Sequence, residues 1–156
     1  MSNMKIEKFN IRVYGLLFNR NNEVLVVDEE EYGLRFTKFP GGGLEFGEGL
    51  HDGLKREWME ELQTEVDIVR HLYTTDFFQA SAFNPGHQLI SIYYEVKLIR
   101  PIEATIHIHP FSFSDTTTEK LCFRWAQVSD SLLKQLTFPI DKLVAGQFVH
   151  TISADA

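Results

Sequence analysis

The sequence predicts one mixed α/β domain that is rich in strands and has few helices. Three observations support this: the chain has several short stretches rich in β-branched and aromatic residues, it has one strongly helical stretch, and its 156 residues fit one ordinary domain. Hydrophobic residues make up 44% and charged residues 24% of the chain, which argues against disorder. We therefore expect a single domain over residues 1–156 with a core that needs no disulfide or zinc.

The first elements are strands separated by turns. Phe9–Phe18 and Glu23–Asp28 have strand composition, and the polar segment Asn19–Asn22 between them is typical of a turn. Together these segments predict a hairpin. A further short strand, Phe36–Phe39, ends at Pro40, where a run of three glycines begins.

The strongest helical signal runs from Leu50 to about Leu62. One apolar stripe recurs at every fourth residue and comprises Leu50, Leu54, Trp58 and Leu62. Beyond this helix the sequence predicts strands at Val66–Phe78, Gln88–Ile99, Ala104–His109 and Leu121–Val128. The last predicted element is a short helix at Asp130–Leu136.

The charge balance limits the partners. Fifteen Lys and Arg residues oppose 22 Asp and Glu residues, which gives a net charge of −7 and a pI near 5.3. Such a protein gains little from attraction to nucleic-acid phosphates or anionic lipids, so we expect neither a nucleic-acid polymer nor a membrane as partner. Met1–Lys5 lacks the apolar run of a signal peptide, and the single cysteine, Cys122, fits a reducing compartment, so we expect a cytoplasmic protein.

Three glutamates share one edge of the predicted helix, here called the carboxylate edge. At about 100° per residue, Glu57 and Glu61 lie one turn apart and Glu60 lies one step around from both. Like charges at this spacing repel by about 0.2–0.5 kcal/mol per pair, and the helix dipole disfavours anions near the C-terminus. A divalent metal would compensate this charge, because Mg²⁺ binds carboxylates together with substrate phosphate oxygens. Arg56 compensates part of it, and a solvated acidic helix face is the alternative.

Glycines and two cations precede the carboxylate edge. Gly41–Gly43 allow the backbone to approach a ligand or metal closely, with carbonyl oxygens as further ligands. Gly53 lies one turn before Glu57 and leaves space on the same edge. Arg35 and Lys38 stand just before the glycines and are candidates for binding substrate phosphates, with ordinary surface charge as the alternative.

The segment from residue 42 to residue 64 resembles the Nudix box of the MutT-like Nudix hydrolases. Gly42 is followed after five residues by Glu48, and after seven more by the run Arg56-Glu57-Trp58-Met59-Glu60-Glu61, so six defining positions and both gap lengths match. The resemblance implies a Nudix-like α/β/α sandwich with a mixed β-sheet. It also implies a Mg²⁺-dependent pyrophosphohydrolase, with Mn²⁺ as the alternative metal. Its small phosphate-containing substrate would be a nucleoside diphosphate linked to another moiety, cleaved by water attack on phosphorus.

The resemblance implies a metal site at the carboxylate edge. The ligands it implies are Glu57, Glu60, Glu61, the backbone carbonyl of Gly41 and, from a late loop, Glu119. Glu119 lies six residues before Trp125, and a solvated loop glutamate is its alternative role.

The same resemblance implies supporting and catalytic roles. Arg56 would orient the carboxylates, while Glu48 and Gly42 would be structural. The candidate catalytic residues are Glu57, Glu60 and Arg56, with Glu60 as the candidate general base.

Three positions depart from the family pattern. Gln63 and Thr64 stand where the family usually has a glycine and an aliphatic residue, and Gly53 stands where it usually has alanine. The glycine replaced by Gln63 is most simply a helix C-cap position, so this departure affects the helix end more than the metal chemistry. The competing hypothesis is a non-catalytic nucleotide- or nucleotide-sugar-binding regulatory module on the same fold. The resemblance is also compatible with a homodimer.

Overall fold

The computed structural model describes residues 5–114 and 120–155, with side chains described up to residue 150. The strands are β1 (Lys8–Leu16), β2 (Glu23–Glu31), β3 (Leu34–Lys38), β4 (Gly41–Gly43), β5 (Val66–Thr74), β6 (His87–Leu98), β7 (Ile106–His107) and β8 (Leu121–Gln127). The helices are α1 (Leu50–Leu62), α2 (Asp130–Gln135) and α3 (Pro139–Asp155). In the described part of the chain, no helix is long and apolar enough to cross a membrane.

Within the described residues, the strands form two four-stranded mixed sheets. The first has the order β4-β1-β6-β5 and the second has the order β3-β2-β8-β7. In the first sheet β1 runs parallel to β6, and in the second β7 runs parallel to β8; the other pairs are antiparallel. The prediction of a mixed α/β fold is confirmed, but the strands divide between two sheets instead of sharing one.

The predicted hairpin of the first two strands is confirmed only next to its turn. β1 and β2 belong to different sheets, and their backbones pair only beside the turn, through an antiparallel bridge between Phe18 and Val24 and hydrogen bonds from the Leu25 amide to the Leu17 carbonyl and from the Asn19 amide to the Glu23 carbonyl. Both edges of β1 are already occupied by β4 and β6, so β2 cannot pair along it. The polar turn is confirmed, because Asn19 Oδ1 accepts the backbone amides of Asn21 and Glu23.

Helix α1 is confirmed with the predicted bounds, and its packing fixes its rotation. Leu54, Trp58 and Leu62 are fully buried in a cluster that includes Val13 and Ile92 of the first sheet. Each such side chain contributes about 1.5–3 kcal/mol when it is buried. Because this face is packed against the sheets, the carboxylate edge beside it is held at the glycine segment β4.

The end of α1 shows how the chain accommodates Gln63. Gln63 adopts the left-handed conformation, with φ 49° and ψ 40°, and its amide bonds to the Met59 carbonyl at 3.1 Å. Its side-chain amide also donates to the Glu60 carbonyl at 3.0 Å. The helix therefore ends where a glycine cap would end it, although a non-glycine residue adopts this conformation at a cost.

Helix α3 was not predicted, and it completes the sandwich. Its buried residues belong to a core cluster on the face of β1 opposite α1: Ile140, Val144, Ala145 and Val149. Tyr14 of β1 and Tyr93 of β6 belong to the same cluster, whereas their neighbours Val13 and Ile92 contact the α1 side. Since side chains alternate across a strand, helices cover both faces of the sheet layer. The predicted α/β/α arrangement is confirmed.

Candidate active site

Arg56 ties the loop before α1 to the helix. Its Nε donates to Glu48 Oε2 at 2.9 Å and its Nη2 donates to Glu48 Oε1 at 2.7 Å. Nη2 also donates to the Gly43 carbonyl at 3.0 Å, and Glu48 accepts the Glu45 amide at 2.9 Å. The hydrogen bonds from Arg56 lower the pKa of Glu48 to about 2. A two-pronged pair of this kind fixes orientation as well as distance, so loop and helix keep one relative position.

Arg56 also reaches two of the three glutamates of the carboxylate edge. Its Nη1 donates to Glu57 Oε1 at 3.1 Å and lies 3.3 Å from Glu60 Oε2. The Glu57 side chain is 14% exposed and that of Glu60 is 57% exposed. Glu57 therefore faces inward, while Glu60 faces solvent.

The inward carboxylate of Glu57 explains the glycine at position 42. A Cβ atom added to Gly42 would lie 2.6 Å from the carboxylate carbon of Glu57, which is closer than side chains approach one another. The carboxylate thus lies directly over the β4 backbone. The structural role predicted for Gly42 has this steric basis.

Glu61 is the buried member of the carboxylate edge. Its Oε2 has no hydrogen-bond partner among the described residues. Burial raises the pKa of Glu61 to about 7, and the positive charge of Lys38 opposes that rise. A buried carboxylate oxygen without a donor is costly, and a bound cation would satisfy it.

The donor set therefore fits a divalent metal in part. Glu57 offers carboxylate oxygens beside the β4 backbone and Glu61 offers a buried one, and oxygen ligands of this kind are those that Mg²⁺ prefers. Over the described residues, however, no group of three or more His, Cys, Asp or Glu side chains is close enough to hold a metal ion. Glu60 is turned toward solvent, and Glu119 lies outside the described residues.

A cavity of about 270 Å³ is lined by Lys38 and Arg12, whose charges act on Glu61 of the carboxylate edge. Strands β1, β2, β3 and β6, the loop at residues 79–84 and the start of α3 line it. Phe36, Phe83 and Phe138 form one wall, with ring centroids 5.1–6.0 Å apart. Aromatic walls with a few buried polar groups are typical of small-molecule sites.

Asp141, at the start of α3, is the buried acid of this cavity. It accepts a hydrogen bond from the Tyr93 hydroxyl, while its Oδ2 has no hydrogen-bond partner among the described residues. Burial raises the pKa of Asp141 to about 6. The cavity thus contains an acceptor that the protein itself leaves unsatisfied.

The two predicted phosphate-binding cations lie in different places. Lys38 lines the cavity and is buried, and its Nζ donates to the carbonyls of Gly41 and Phe39 at 3.1 and 3.3 Å. Arg35 is not among the lining residues; it pairs with Glu30 at 3.2 Å on the other face of β3. The structure brings Lys38, but not Arg35, to the carboxylate edge.

Sequence reasoning missed two charged residues of this region, Arg12 on β1 and Glu29 on β2. Both line the cavity, and Arg12 Nε donates to the Tyr14 hydroxyl at 2.6 Å. Burial raises the pKa of Glu29, and the charges of Lys38 and Arg12 oppose that rise. The available signal was an arginine between the apolar residues Ile11 and Val13 of the first strand.

Comparison with known proteins agrees with this geometry. The fold, with its glycine strand and carboxylate-bearing helix, defines a Nudix-type domain. The family model described as NUDIX domain matches residues 8–146, which is most of the chain. The protein therefore belongs to the NUDIX family.

Individual relatives are more distant. Nudix hydrolase 2 of Arabidopsis thaliana is 34% identical over 103 residues, which cover 62% of this chain and 34% of the relative. The matched part of the chain thus spans about a third of the length of that curated relative. The ORF135 protein of E. coli superimposes with a TM-score of 0.69 at 17% identity, covering 94% of this chain and 93% of the other. The MutT protein of Methanosarcina mazei Go1 superimposes with a TM-score of 0.64 at 19% identity, covering 91% of this chain and 94% of the other. These two likenesses show the fold alone.

Proposed function

We propose that the protein is a metal-dependent pyrophosphohydrolase acting on a nucleoside diphosphate linked to another moiety. The observation that carries the proposal is the placement of two glutamates of the carboxylate edge: the Glu57 carboxylate lies against the β4 backbone, and Glu61 keeps a buried oxygen without a partner among the described residues and feels the charge of Lys38, which lines the cavity. Membership of the NUDIX family supports the same chemistry. We further propose one domain acting in the cytoplasm on a small substrate, and a homodimer as its assembly.

The proposed metal is Mg²⁺, with Mn²⁺ as the alternative, held by Glu57 and Glu61 and the Gly41 carbonyl. When bound there, it would neutralise the diphosphate and lower the pKa of the attacking water. Arg56 and Glu48 keep α1 fixed against the glycine segment, so the carboxylates need no rearrangement before the reaction. Glu60 is our candidate general base, because its exposed carboxylate can reach a water while Arg56 limits its position.

The cavity would bind the organic part of the substrate. Lys38 and Arg12 lie on the side of the anionic group, and the aromatic wall offers surfaces for a base or sugar. ADP-ribose, sugar nucleotides, dinucleoside polyphosphates and (d)NTPs all present these two parts. We propose a substrate from one of these four classes.

A hydrolysis screen over the four classes tests the proposal. We expect Mg²⁺-dependent turnover of one class that EDTA abolishes, and Glu57→Gln, Glu60→Gln and Glu61→Gln should each lose most of it while remaining folded. The control is Glu65→Gln, because Glu65 is an exposed glutamate just after α1 that pairs with Arg100. Full activity of the Glu57 and Glu61 variants would contradict the proposal.

The alternative is a non-catalytic module that binds a nucleotide or nucleotide sugar. The observation favouring it is that Arg56 alone pairs with Glu45, Glu48, Glu57 and Glu60, so much of the acidic charge is balanced within the protein. Such a module would be stabilised against thermal unfolding by a nucleotide without turning it over. Turnover that is lost in the Glu61 variant would exclude this alternative.

A further inference from the structure

Lys38 is a buried lysine whose ammonium is held mainly by backbone oxygens. The residue is 6% exposed, and Nζ donates to the carbonyls of Gly41 and Phe39 at 3.1 and 3.3 Å. The ring of Tyr14 lies 5.5 Å away. Lysine is seldom buried unless its charge is compensated, so the surroundings of this ammonium must supply negative charge.

That negative charge comes from three different elements. The charge of Lys38 acts on Glu61 of α1, on Glu29 of β2 and on Asp141 of α3, and in each case it favours the ionised carboxylate. Among the described residues, the hydrogen bonds of Nζ go to the carbonyls of Gly41 and Phe39 and not to any of these acids. The ammonium therefore interacts electrostatically with several carboxylates, and its hydrogen bonds go to carbonyls.

Two of the groups around the Lys38 ammonium, the Gly41 carbonyl and the Glu61 carboxylate, are also proposed ligands of the metal. The Gly41 carbonyl accepts Lys38, and Glu61 keeps one buried oxygen without a partner. Two cations sharing one carbonyl repel strongly, because the local dielectric constant is low. The flexible four-carbon stem of lysine can move, and the cavity that Lys38 lines provides the space.

We propose that the Lys38 ammonium and a divalent metal compete for the Gly41 carbonyl and the charge of Glu61. Metal binding releases the ammonium into the cavity, where it faces the anionic part of the substrate. Lys38 is thus a positioning residue that lowers metal affinity and couples metal binding to substrate binding. This inference rests on the proposed function, since it requires the metal site at Glu57 and Glu61.

Calorimetric titration with Mg²⁺ tests the competition without measuring activity. At about pH 8.5, where Glu61 is ionised, Lys38→Met should bind Mg²⁺ about tenfold more tightly than the wild type. Lys38→Gln keeps a hydrogen-bond donor but loses the charge, so its Mg²⁺ affinity should lie between those of the wild type and Lys38→Met. Lys142→Met is the matched control, because it removes one charge from an exposed lysine on α3 and should leave the dissociation constant unchanged.

The direction of the change distinguishes competition from a structural role. Unchanged or weaker Mg²⁺ binding by Lys38→Met, with wild-type binding intact, would overturn the inference and leave the proposed function standing. A wild-type protein that binds no divalent metal would overturn both.

A second measurement covers the case in which Lys38→Met does not fold. In wild-type protein carrying ¹³C at the lysine ε-carbons, Mg²⁺ should shift the Lys38 signal while that of Lys142 stays in place. A Lys38 signal unmoved at saturating Mg²⁺ would overturn the inference.

Discussion

At the carboxylate edge the guanidinium of Arg56 joins the loop to the helix, whereas the cavity brings together side chains from separate elements. Each region keeps one buried carboxylate oxygen without a hydrogen-bond partner in the described part of the chain, on Glu61 and on Asp141. Arg56 bonds Glu48, Glu57 and the Gly43 carbonyl. Asp141 accepts the Tyr93 hydroxyl on one oxygen, and its Oδ2 has no hydrogen-bond partner among the described residues. The first region is rigid before any ligand binds. The cavity combines its unsatisfied acid with an aromatic wall, so the two regions have the properties expected of a reaction centre and a recognition pocket.

The largest expected effect comes from moving Glu57 within the rigid region. Gly42→Ala would place a Cβ atom 2.6 Å from the Glu57 carboxylate carbon, so the carboxylate must shift. We expect kcat/KM to fall about 100-fold, because a displacement of about 1 Å has this effect on a positioned reacting group. Gly43→Ala is the control, since its Cβ would meet nothing closer than Arg12 Nη1 at 3.8 Å. Equal activity of the two variants would contradict the role given to Glu57.

The next effect concerns the pairing of Arg56 with Glu48. Hydrogen bonds from Arg56 lower the Glu48 pKa from 4.5 to about 2, so the folded state favours the ionised form. The resulting stability is present above pH 4.5 and is lost as pH falls through about 2. Urea unfolding should show Arg56→Met less stable than wild type at pH 7, with a difference that shrinks as pH falls below 4.5. Lys55→Met on the same helix should show no such difference in stability from the wild type. A difference for Arg56→Met that does not change with pH would contradict the pairing of Arg56 with Glu48.

The smallest expected effect concerns Asp141 of the cavity, whose substitution should stabilise the protein at pH 7 instead of destabilising it. Burial raises the Asp141 pKa from 3.8 to about 6, so the folded state favours the protonated acid. Its stabilising contribution is complete below pH 3.8 and is lost as pH rises through about 6. Asp141→Asn should therefore raise the free energy of unfolding at pH 7 by about 1–3 kcal/mol, with no gain below pH 3.8. Asp130→Asn, on the exposed start of α2, is the control, and a destabilised Asp141→Asn variant at pH 7 would contradict this account.

The carboxylate edge and the loop before it were predictable because their residues lie within one loop and one helix. Glycine, Glu48 and the carboxylate edge are separated by fixed numbers of residues, and helical spacing alone places Glu57 and Glu61 on one side. The helix itself was predictable from its apolar stripe. What spacing does not give is the direction of each side chain, which is why Glu60 was not expected to face solvent.

The cavity was not predictable in the same way. Arg12, Glu29 and Asp141 come from β1, β2 and α3, and they meet only because β1 pairs in parallel with β6 and leaves β2 to the other sheet. The hairpin prediction had paired β1 with β2 instead of with β6. Arg35 and Lys38 are three positions apart on one strand, so they face opposite sides and only one of them can reach the cavity.

Helix α3 did leave signals in the sequence that were missed. Pro139 lies at its first position, where proline is favoured, and apolar residues recur at 140, 144, 145 and 149. Because α3 was not among the predicted elements, Asp141 at its start was not considered as a candidate site residue.

Turnover measured against Mg²⁺ concentration, for the wild type and Glu61→Gln, tests the central claim most directly. The carboxylate edge, if it is a metal-dependent reaction centre, gives saturable Mg²⁺ activation in the wild type and little activity at any Mg²⁺ concentration in the variant. Identical Mg²⁺ curves for the two proteins would contradict it.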